Sequence, residues 1–344
     1  MTAVVNAPMR LVDRFGRVAR DLRVSVTDRC NLRCAYCMPA EGVSFRPKNE
    51  ILTSSELIRL IKIAVEILGI EKICFTGGEP LLRKDLEEII AEAANLRKKD
   101  GEKIEISMTT NGLGLAHRAK KLAEAGLQRV NISLDAANSH DYKILTRRDR
   151  FADAIAGAQA AHDAGLSPIK LNAVLLPGFN DHQAPDLVKL ALKNGYTLRF
   201  IEFMPLGTAW ERQKMITCED ILSKLREEFT LKMRPESERG SSPAKYWDVA
   251  AGDEHPAGKI GIIASVSRPF CGDCDRTRLT ADGQIRSCLF ARSETDLRGL
   301  LRSGASDADI AGAWAENMWN KQPGHGIDDP SFLKPKRNMS AIGG

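Results

Sequence analysis

Two groups of cysteines carry the residue types best suited to chemistry in this 344-residue chain. Cys30, Cys34 and Cys37 stand as CNLRCAYC, a C-x3-C-x2-C spacing that eight cysteines placed at random would rarely produce. Three thiolates from one loop hold three irons of a cubane and leave the fourth open, whereas four-cysteine ligation saturates the cluster. An open coordination position is what catalysis needs. The competing reading is a structural zinc knuckle with a distant fourth ligand, although no histidine lies nearby at zinc-finger spacing. The second group, Cys271, Cys274 and Cys288 in FCGDCDRTRLTADGQIRSCLF, is C-x2-C-x13-C and by itself resembles three-quarters of a zinc ribbon. No fourth cysteine adjoins it, and His255 and His325 are remote in sequence. Arg276 and Arg278 follow at once, and on an extended backbone alternate residues face one way. Paired guanidiniums beside a three-ligand cluster suit an anionic substrate placed at an open iron; the other reading is a solvated face. Cys74 and Cys218 stand apart and read as small buried hydrophobes.

Two weaker motifs follow strand-like runs. In Thr76-Gly77-Gly78-Glu79-Pro80 the glycines permit close backbone approach to a ligand and Glu79 is placed to take an ammonium group, though a strand–helix turn also wants glycine. Thr109-Thr110-Asn111-Gly112 reads first as turn chemistry.

The elements that must position these groups are legible in the apolar pattern. Runs rich in Val, Ile, Leu or Phe at 23–27, 72–76, 104–109, 129–134, 169–175 and 198–203 predict strands. Three-to-four spacing predicts helices over 55–68, 85–96, 116–125, 152–164 and 185–193. Thr53 or Ser54 suits the first N-cap, and Gly69, Gly126, Gly165 and Gly195 stand where helices should stop. Six such alternations predict a parallel α/β sheet, its strands near-continuously apolar because both faces are covered. An open doubly wound sheet and a full or partial barrel both fit, and in either the polar residues at the strands' C-terminal ends form the ligand-binding rim. Beyond residue 210 the alternation fades: 217–229 reads as a helix and 234–258 as polar loop. We therefore expect domains at 1–214 and 215–344, with 215–330 packed over the rim and a tail ending in Gly343-Gly344.

Composition excludes other classes. Net charge is +5 with no basic block, and aromatics are 6%, too little for a nucleic-acid surface. No run of eighteen apolar residues suggests a membrane span, and the N-terminal stretch lacks a signal peptide's apolar core, so a cytoplasmic protein is expected. In a reducing compartment clustered cysteines more often bind metal than form disulfides.

The stretches RVSVTDRCNLRCAYCMP, TGGEPLLRKDL, TTNG, NISLD, RFIEFMP, FCGDCDRTRLTADG and MSAIGG resemble the radical S-adenosylmethionine superfamily and, more narrowly, the GTP 3′,8-cyclases of molybdenum-cofactor biosynthesis. The first triplet and GGEP mark the superfamily; the second triplet with its RxR and the Gly-Gly tail mark the narrower family. The resemblance implies an incomplete TIM-type barrel of six βα units with a C-terminal extension carrying a second cluster. It implies two 4Fe–4S clusters, one on Cys30, Cys34 and Cys37 and one on Cys271, Cys274 and Cys288. Tyr36, Gly78, Ser133 and Met204 match positions lining the S-adenosylmethionine site, where Glu79 joins them on the reading above. Arg23, Thr109, Lys170, Arg276 and Arg278 match GTP-contacting positions, and Arg199 belongs with them. The implied chemistry is radical removal of hydrogen from C3′ of GTP and closure of C3′ onto C8. No acid–base catalyst is expected, with Arg276, Arg278 or the tail assisting later steps. Implied partners are GTP, an electron donor and, through the product, the cyclic pyranopterin monophosphate synthase; no nucleic acid or membrane is expected, and a homodimer is compatible. One departure stands out. The family carries an arginine three residues before the first glycine of its RxTGGEP turn, and this chain has Cys74 there. Loss of one charge-assisted hydrogen bond predicts GTP binding weaker by about ten- to a hundredfold. Rival readings are a peptide-modifying radical enzyme with an auxiliary cluster and a non-catalytic zinc protein.

Overall fold

The computed structural model describes residues 9–206, 210, 215–330 and 332–343; Gly344, half of the terminal glycine pair, lies outside them. Strands β1 (Asp21–Ser25), β2 (Lys72–Thr76), β3 (Glu105–Thr110), β4 (Arg129–Ser133), β5 (Lys170–Val174) and β6 (Thr197–Ile201) pair in chain order, each parallel to the next. They lie within two residues of the expected runs.

Helices fill the returns: α1 (Ser54–Lys62), α2 (Leu86–Ala94), α3 (Leu115–Glu124), α4 (Ser139–Thr146), α5 (Phe151–Asp163) and α6 (Ala184–Lys193). Thr53 caps α1 through a reciprocal capping box with Glu56. The helix then runs on through a wide turn over Ile63–Ile67 to Gly69, whose φ of +78° stops it. Gly126, Gly165 and Gly195 also take positive φ after their helices, a conformation open to glycine at little cost. α4 is an element that the apolar pattern does not predict. It is short, and its buried Tyr142 and Leu145 are too few to show a period.

The second part of the chain contributes α7 (Cys218–Arg226), β7 (Leu231–Met233), β8 (Lys245–Val249), β9 (Gly258–Ile263), β10 (Arg276–Leu279), β11 (Gln284–Arg286), β12 (Thr295–Asp296), α8 (Leu297–Arg302), α9 (Asp307–Trp319) and α10 (Met339–Ile342). β9 pairs parallel with β6, and β10 pairs parallel with β1. The late strands thus extend the six-strand sheet at both edges to eight parallel strands. Antiparallel β8–β7 and β11–β12 complete the two flanks. The expectation of loop over 234–258 is corrected by β8. Its KYWDV buries Trp247 and Val249 on one face only, so a half-exposed strand hides behind polar residues.

The expectation of near-continuous apolar strands is also corrected. The strands alternate. Leu22, Val24, Ile73, Phe75, Val130 and Phe200 are buried in the layer shared with the helices. Their neighbours Arg23, Cys74, Thr109, Asn131, Asn172 and Arg199 face the other way and meet one another across a polar lumen. Among the described residues no helix is long and apolar enough to cross a membrane.

Candidate functional site

The lumen has two mouths, and a cysteine triplet stands at each. Cys30, Cys34 and Cys37 follow the C-terminal end of β1, at what we call the upper mouth. Cys271 and Cys274 precede the N-terminal end of β10, which runs parallel to β1, and Cys288 follows β11, which runs antiparallel to β10. The second triplet is therefore at the opposite, lower mouth.

At the upper mouth the cysteine loop is held from two sides. From α4, the carbonyls of Leu145 and Thr146 accept from Ala35 N and Arg33 N at 2.8 and 3.1 Å, and Arg147 Nη1 donates to the carbonyls of Arg33 and Met38. From β2, Gly78 N donates to Thr27 O and Glu79 N to Arg29 O, both at 2.7 Å. A Cβ on Gly78 would stand 2.3 Å from Arg29 O, and one on Gly77 2.5 Å from Thr27 O. What the glycines admit here is the backbone of the cysteine loop. Glu79 is buried and fully engaged: Oε1 accepts from Leu81 N at 3.0 Å and Thr110 Oγ1 at 2.6 Å, and Oε2 from Asn111 N at 2.7 Å. Asn111 Nδ2 then reaches Asn31 Oδ1 at 2.7 Å, so Thr110 and Asn111 tie both motifs to the cysteine loop.

The upper cavity is lined by the first triplet, Tyr36, Gly78, Glu79, Thr109, Ser133, Met204 and Arg278, together with Asp135, Asn172 and Met339–Ser340 of α10. Tyr36 donates its hydroxyl to Asp135 Oδ2 at 2.8 Å, and Val174 N donates to Oδ1 at 2.9 Å. Burial pushes Glu79 up to about 7 and Asp135 up to about 6, against the pull of these hydrogen bonds. Burial likewise raises the thiols of Cys30, Cys34 and Cys37, the last to about 12. The donor set fits an iron–sulfur cluster: three thiols on one loop, partly buried, each within the others' electrostatic field. Their protons would leave as iron binds. Among the described residues no three Cys, His, Asp or Glu side chains converge tightly enough for a single metal ion.

The lower mouth is cationic. Lys321, buried, donates to the carbonyls of Cys274 and Arg276 at 3.1 and 3.0 Å and approaches Cys274 Sγ at 3.4 Å. Burial raises the Cys274 thiol, but Lys321 and Arg276 outweigh it and hold it below the usual range. Phe290 N points at Cys288 Sγ from 3.4 Å, and Arg17 Nη1 donates to Cys271 O at 2.7 Å. Arg276 Nη2 donates to Ser241 O at 3.0 Å, while Arg278 Nη1 crosses the lumen to Gly343 O at 2.8 Å. The tail therefore lies against the upper ends of β1 and β2, where a Cβ on Gly343 would stand 2.9 Å from Ser25 Cβ.

Between the mouths a chain of side chains crosses five strands, β2 to β6. Cys74 Sγ lies 3.5 Å from Thr109 Oγ1, which accepts from Asn131 Nδ2 at 3.2 Å. Arg199 donates to Asn131 Oδ1 at 3.0 Å and Asn172 Oδ1 at 2.9 Å. Arg23 faces Cys74 in register and reaches Asp21 at 3.1 Å, leaving its buried Nε without a partner among the described residues. Lys170 stands lower, at the start of β5, where burial and then Arg199 push its ammonium down to about 7. Burial also lowers Arg278 to about 10, with Arg23 and Arg276 adding to the effect. The structure thus gathers every expected site residue around one lumen. Lys321, Asn131 and Asn172 are additions, while Asp135 ends the NISLD stretch on the expected rim. The asparagines did leave a signal, as amides in mid-strand; Lys321, in a loop, left none.

Two family models cover the chain: residues 24–191 match "Radical SAM superfamily" and residues 196–327 match "Molybdenum Cofactor Synthesis C". A GTP 3′,8-cyclase of Corynebacterium glutamicum is 58% identical over 97% of this chain and 89% of its own length. One of Streptomyces coelicolor is 54% identical over 97% and 96%. Among solved structures, native anSMEcpe with bound AdoMet superimposes with a TM-score of 0.60 over 89% of this chain and 81% of that one, at 16% identity, a likeness of fold.

Proposed function

The chain belongs to the GTP 3′,8-cyclase family of radical S-adenosylmethionine enzymes, and from that membership we propose how its two mouths divide the work. The family's reaction is the cyclisation of GTP to 3′,8-cyclo-7,8-dihydro-GTP in molybdenum-cofactor biosynthesis, with a 4Fe–4S cluster and S-adenosylmethionine as cofactors. The carrying observation is a polar lumen with a cysteine triplet at each mouth, acidic groups above and cationic groups below. In our reading Cys30, Cys34 and Cys37 hold the first cluster and Cys271, Cys274 and Cys288 a second. When bound, cluster and S-adenosylmethionine supply the one-electron chemistry that removes the C3′ hydrogen.

The protein's own part is positional. Tyr36, Gly78, Ser133 and Met204 line the upper cavity where a sulfonium cofactor would lie, and such a cation would draw the carboxyls of Asp135 and Glu79 toward their charged forms. Glu79 contributes through its field and by fixing the loops, since its oxygens are already engaged. Arg23, Arg199, Arg276, Arg278 and Lys170 would receive the triphosphate, with Thr109 beside them. The unpartnered Arg23 Nε fits an anionic acceptor. Met339–Ser340 line the upper cavity and Gly343 O accepts from Arg278, so this segment would help to screen the bound ligands from water. We assign Arg276 and Arg278 a part in the later steps as well. Eight free thiols suit a cytoplasmic, reducing setting; an electron donor and, through the product, the cyclic pyranopterin monophosphate synthase are the partners this reaction calls for, and a homodimer is compatible.

The test is an anaerobic assay of the reconstituted chain with S-adenosylmethionine, GTP and dithionite, followed by mass spectrometry. We expect 5′-deoxyadenosine together with an isomer of GTP, and about eight irons per chain. Stoichiometric zinc, or 5′-deoxyadenosine formed at one rate with and without GTP, would overturn the assignment.

A further inference from the structure

At the lower mouth a cleft opens between the starts of β5 and β9 and the connection from β7 to β8, lined by Pro168, Lys170, Arg239, Lys245, Tyr246 and Lys259. Its cations are of two kinds. Lys245 pairs with Glu236 at 2.9 Å, Arg234 with Glu238 at 3.4 Å and Arg239 with Asp273, so both carboxylates that line the cleft, Glu236 and Glu238, are already engaged. Lys170 and Lys259 have no carboxylate partner among the described residues. The register sets these two in one row: Lys170 pairs with Thr197 of β6, and Leu198 pairs with Ile260, which places Lys259 beside Thr197.

One step inward, Arg199 pairs with Gly261, and Gly261 with Tyr246. A Cβ on Gly261 would stand 3.1 Å from Arg199 Cγ and 3.0 Å from Tyr246 Cε1. The missing side chain thus lets the guanidinium stem and the phenol ring pack together and hydrogen-bond. Lys259 Nζ stands 5.8 Å from the Tyr246 ring centroid. Arg199 in turn bonds Asn172, which lines the upper cavity, so the cleft and the lumen share one wall.

Two unpaired ammonium groups, an arginine and a phenol around one cleft form a site short of negative charge. Ammonium and phenol donors converging in this way match a compact oxyanion bearing more than one charge. We propose that Lys259, with Lys170 and Tyr246, clamps the terminal phosphate of the nucleoside triphosphate at the lower mouth and makes the site prefer triphosphate to diphosphate. It adds a cation to a lumen in which position 74 supplies none. The proposal rests on the reading of GTP as substrate.

The experiment measures equilibrium affinity of the anaerobically cluster-loaded chain for GTP, GDP and GMP. Lys259 is exposed, so its replacement leaves the core intact. We expect Lys259→Gln to weaken GTP by about five- to tenfold and GMP by less than about twofold, with Lys259→Arg restoring the preference. Tyr246→Phe should shift the GTP-to-GDP ratio the same way by a smaller factor. An unchanged ratio in Lys259→Gln, in a chain that still binds GTP and forms 5′-deoxyadenosine only when GTP is present, overturns the clamp and leaves the substrate standing. Failure of the unaltered chain to bind GTP overturns both.

Discussion

The two mouths carry the same three-thiol device in opposite electrostatic settings. Above, the thiols share their surroundings with Asp135 and Glu79, and burial holds all of these groups toward their neutral forms. Below, Lys321 and Arg276 lie against Cys274 and favour its thiolate. On the proposed function a cationic cofactor would be favoured above and a polyphosphate below. Sorting two ligands to two ends of one lumen therefore needs no recognition loop, only carboxylates at one end and ammonium and guanidinium groups at the other. Position 74, on the wall between them, has a thiol side chain where the sequence resemblance leads one to expect an arginine, so on the proposed function the anionic site would lean on the lower mouth.

The largest test of this division is a pair of variants. Cys34→Ser should abolish 5′-deoxyadenosine formation with or without GTP, while Cys274→Ser should keep slow, GTP-independent formation and lose the GTP isomer. Each should lose about four irons. Identical behaviour would erase the distinction between the mouths. Glu79→Ala removes the acceptor of three buried donors, so we expect a loss of about 3–5 kcal/mol in denaturant unfolding. An unchanged midpoint would mean that the upper loops are held otherwise. Cys74→Arg should tighten GTP by about tenfold without altering S-adenosylmethionine affinity, read by titration calorimetry.

The smallest effect is in protons. With Asp135 near 6 and Glu79 near 7, part of each carboxyl is protonated in the empty site around neutrality, and a cation lowers both values. S-adenosylmethionine binding should release a fraction of a proton and strengthen as pH rises through 6 to 7. With Lys170 near 7, part of its ammonium has lost its proton, and an anion restores it. GTP binding should take up a fraction of a proton and weaken as pH rises above 7. Calorimetry in buffers of different ionisation enthalpy reads both signs, and a shared sign would contradict the division.

Strand positions and helix stops were legible because Val, Ile and Leu runs and glycine stops act locally. The lumen was less so. Asn131, Asn172 and Arg199 interrupt their strands with polar groups, yet one apolar neighbour on each side suffices to make the run read as buried on both faces. That the second triplet sits opposite the first depends on β10 pairing with β1, a contact between distant segments that no local pattern encodes. α4 shows the same limit: its role is to present Leu145 and Thr146 carbonyls to the cysteine loop, and carbonyls leave no trace in side-chain pattern. Glu79 was singled out for its charge, while its contacts show a strut.

The placement of β9 and β10 on opposite edges also sets an order of assembly during synthesis. Once the chain as far as Met204 has left the ribosome, the cysteine loop and β1 to β6 are free to fold, but both margins of that sheet are bare, the kind of edge that invites mispairing. One margin waits for Gly258, and the other, at the first strand made, waits for Arg276. The strand that closes it also delivers Arg276 and Arg278. A nascent chain stalled before that point has the upper thiols in place and lacks Arg276 and Arg278, so on the proposed function the capacity to bind substrate would come late in synthesis.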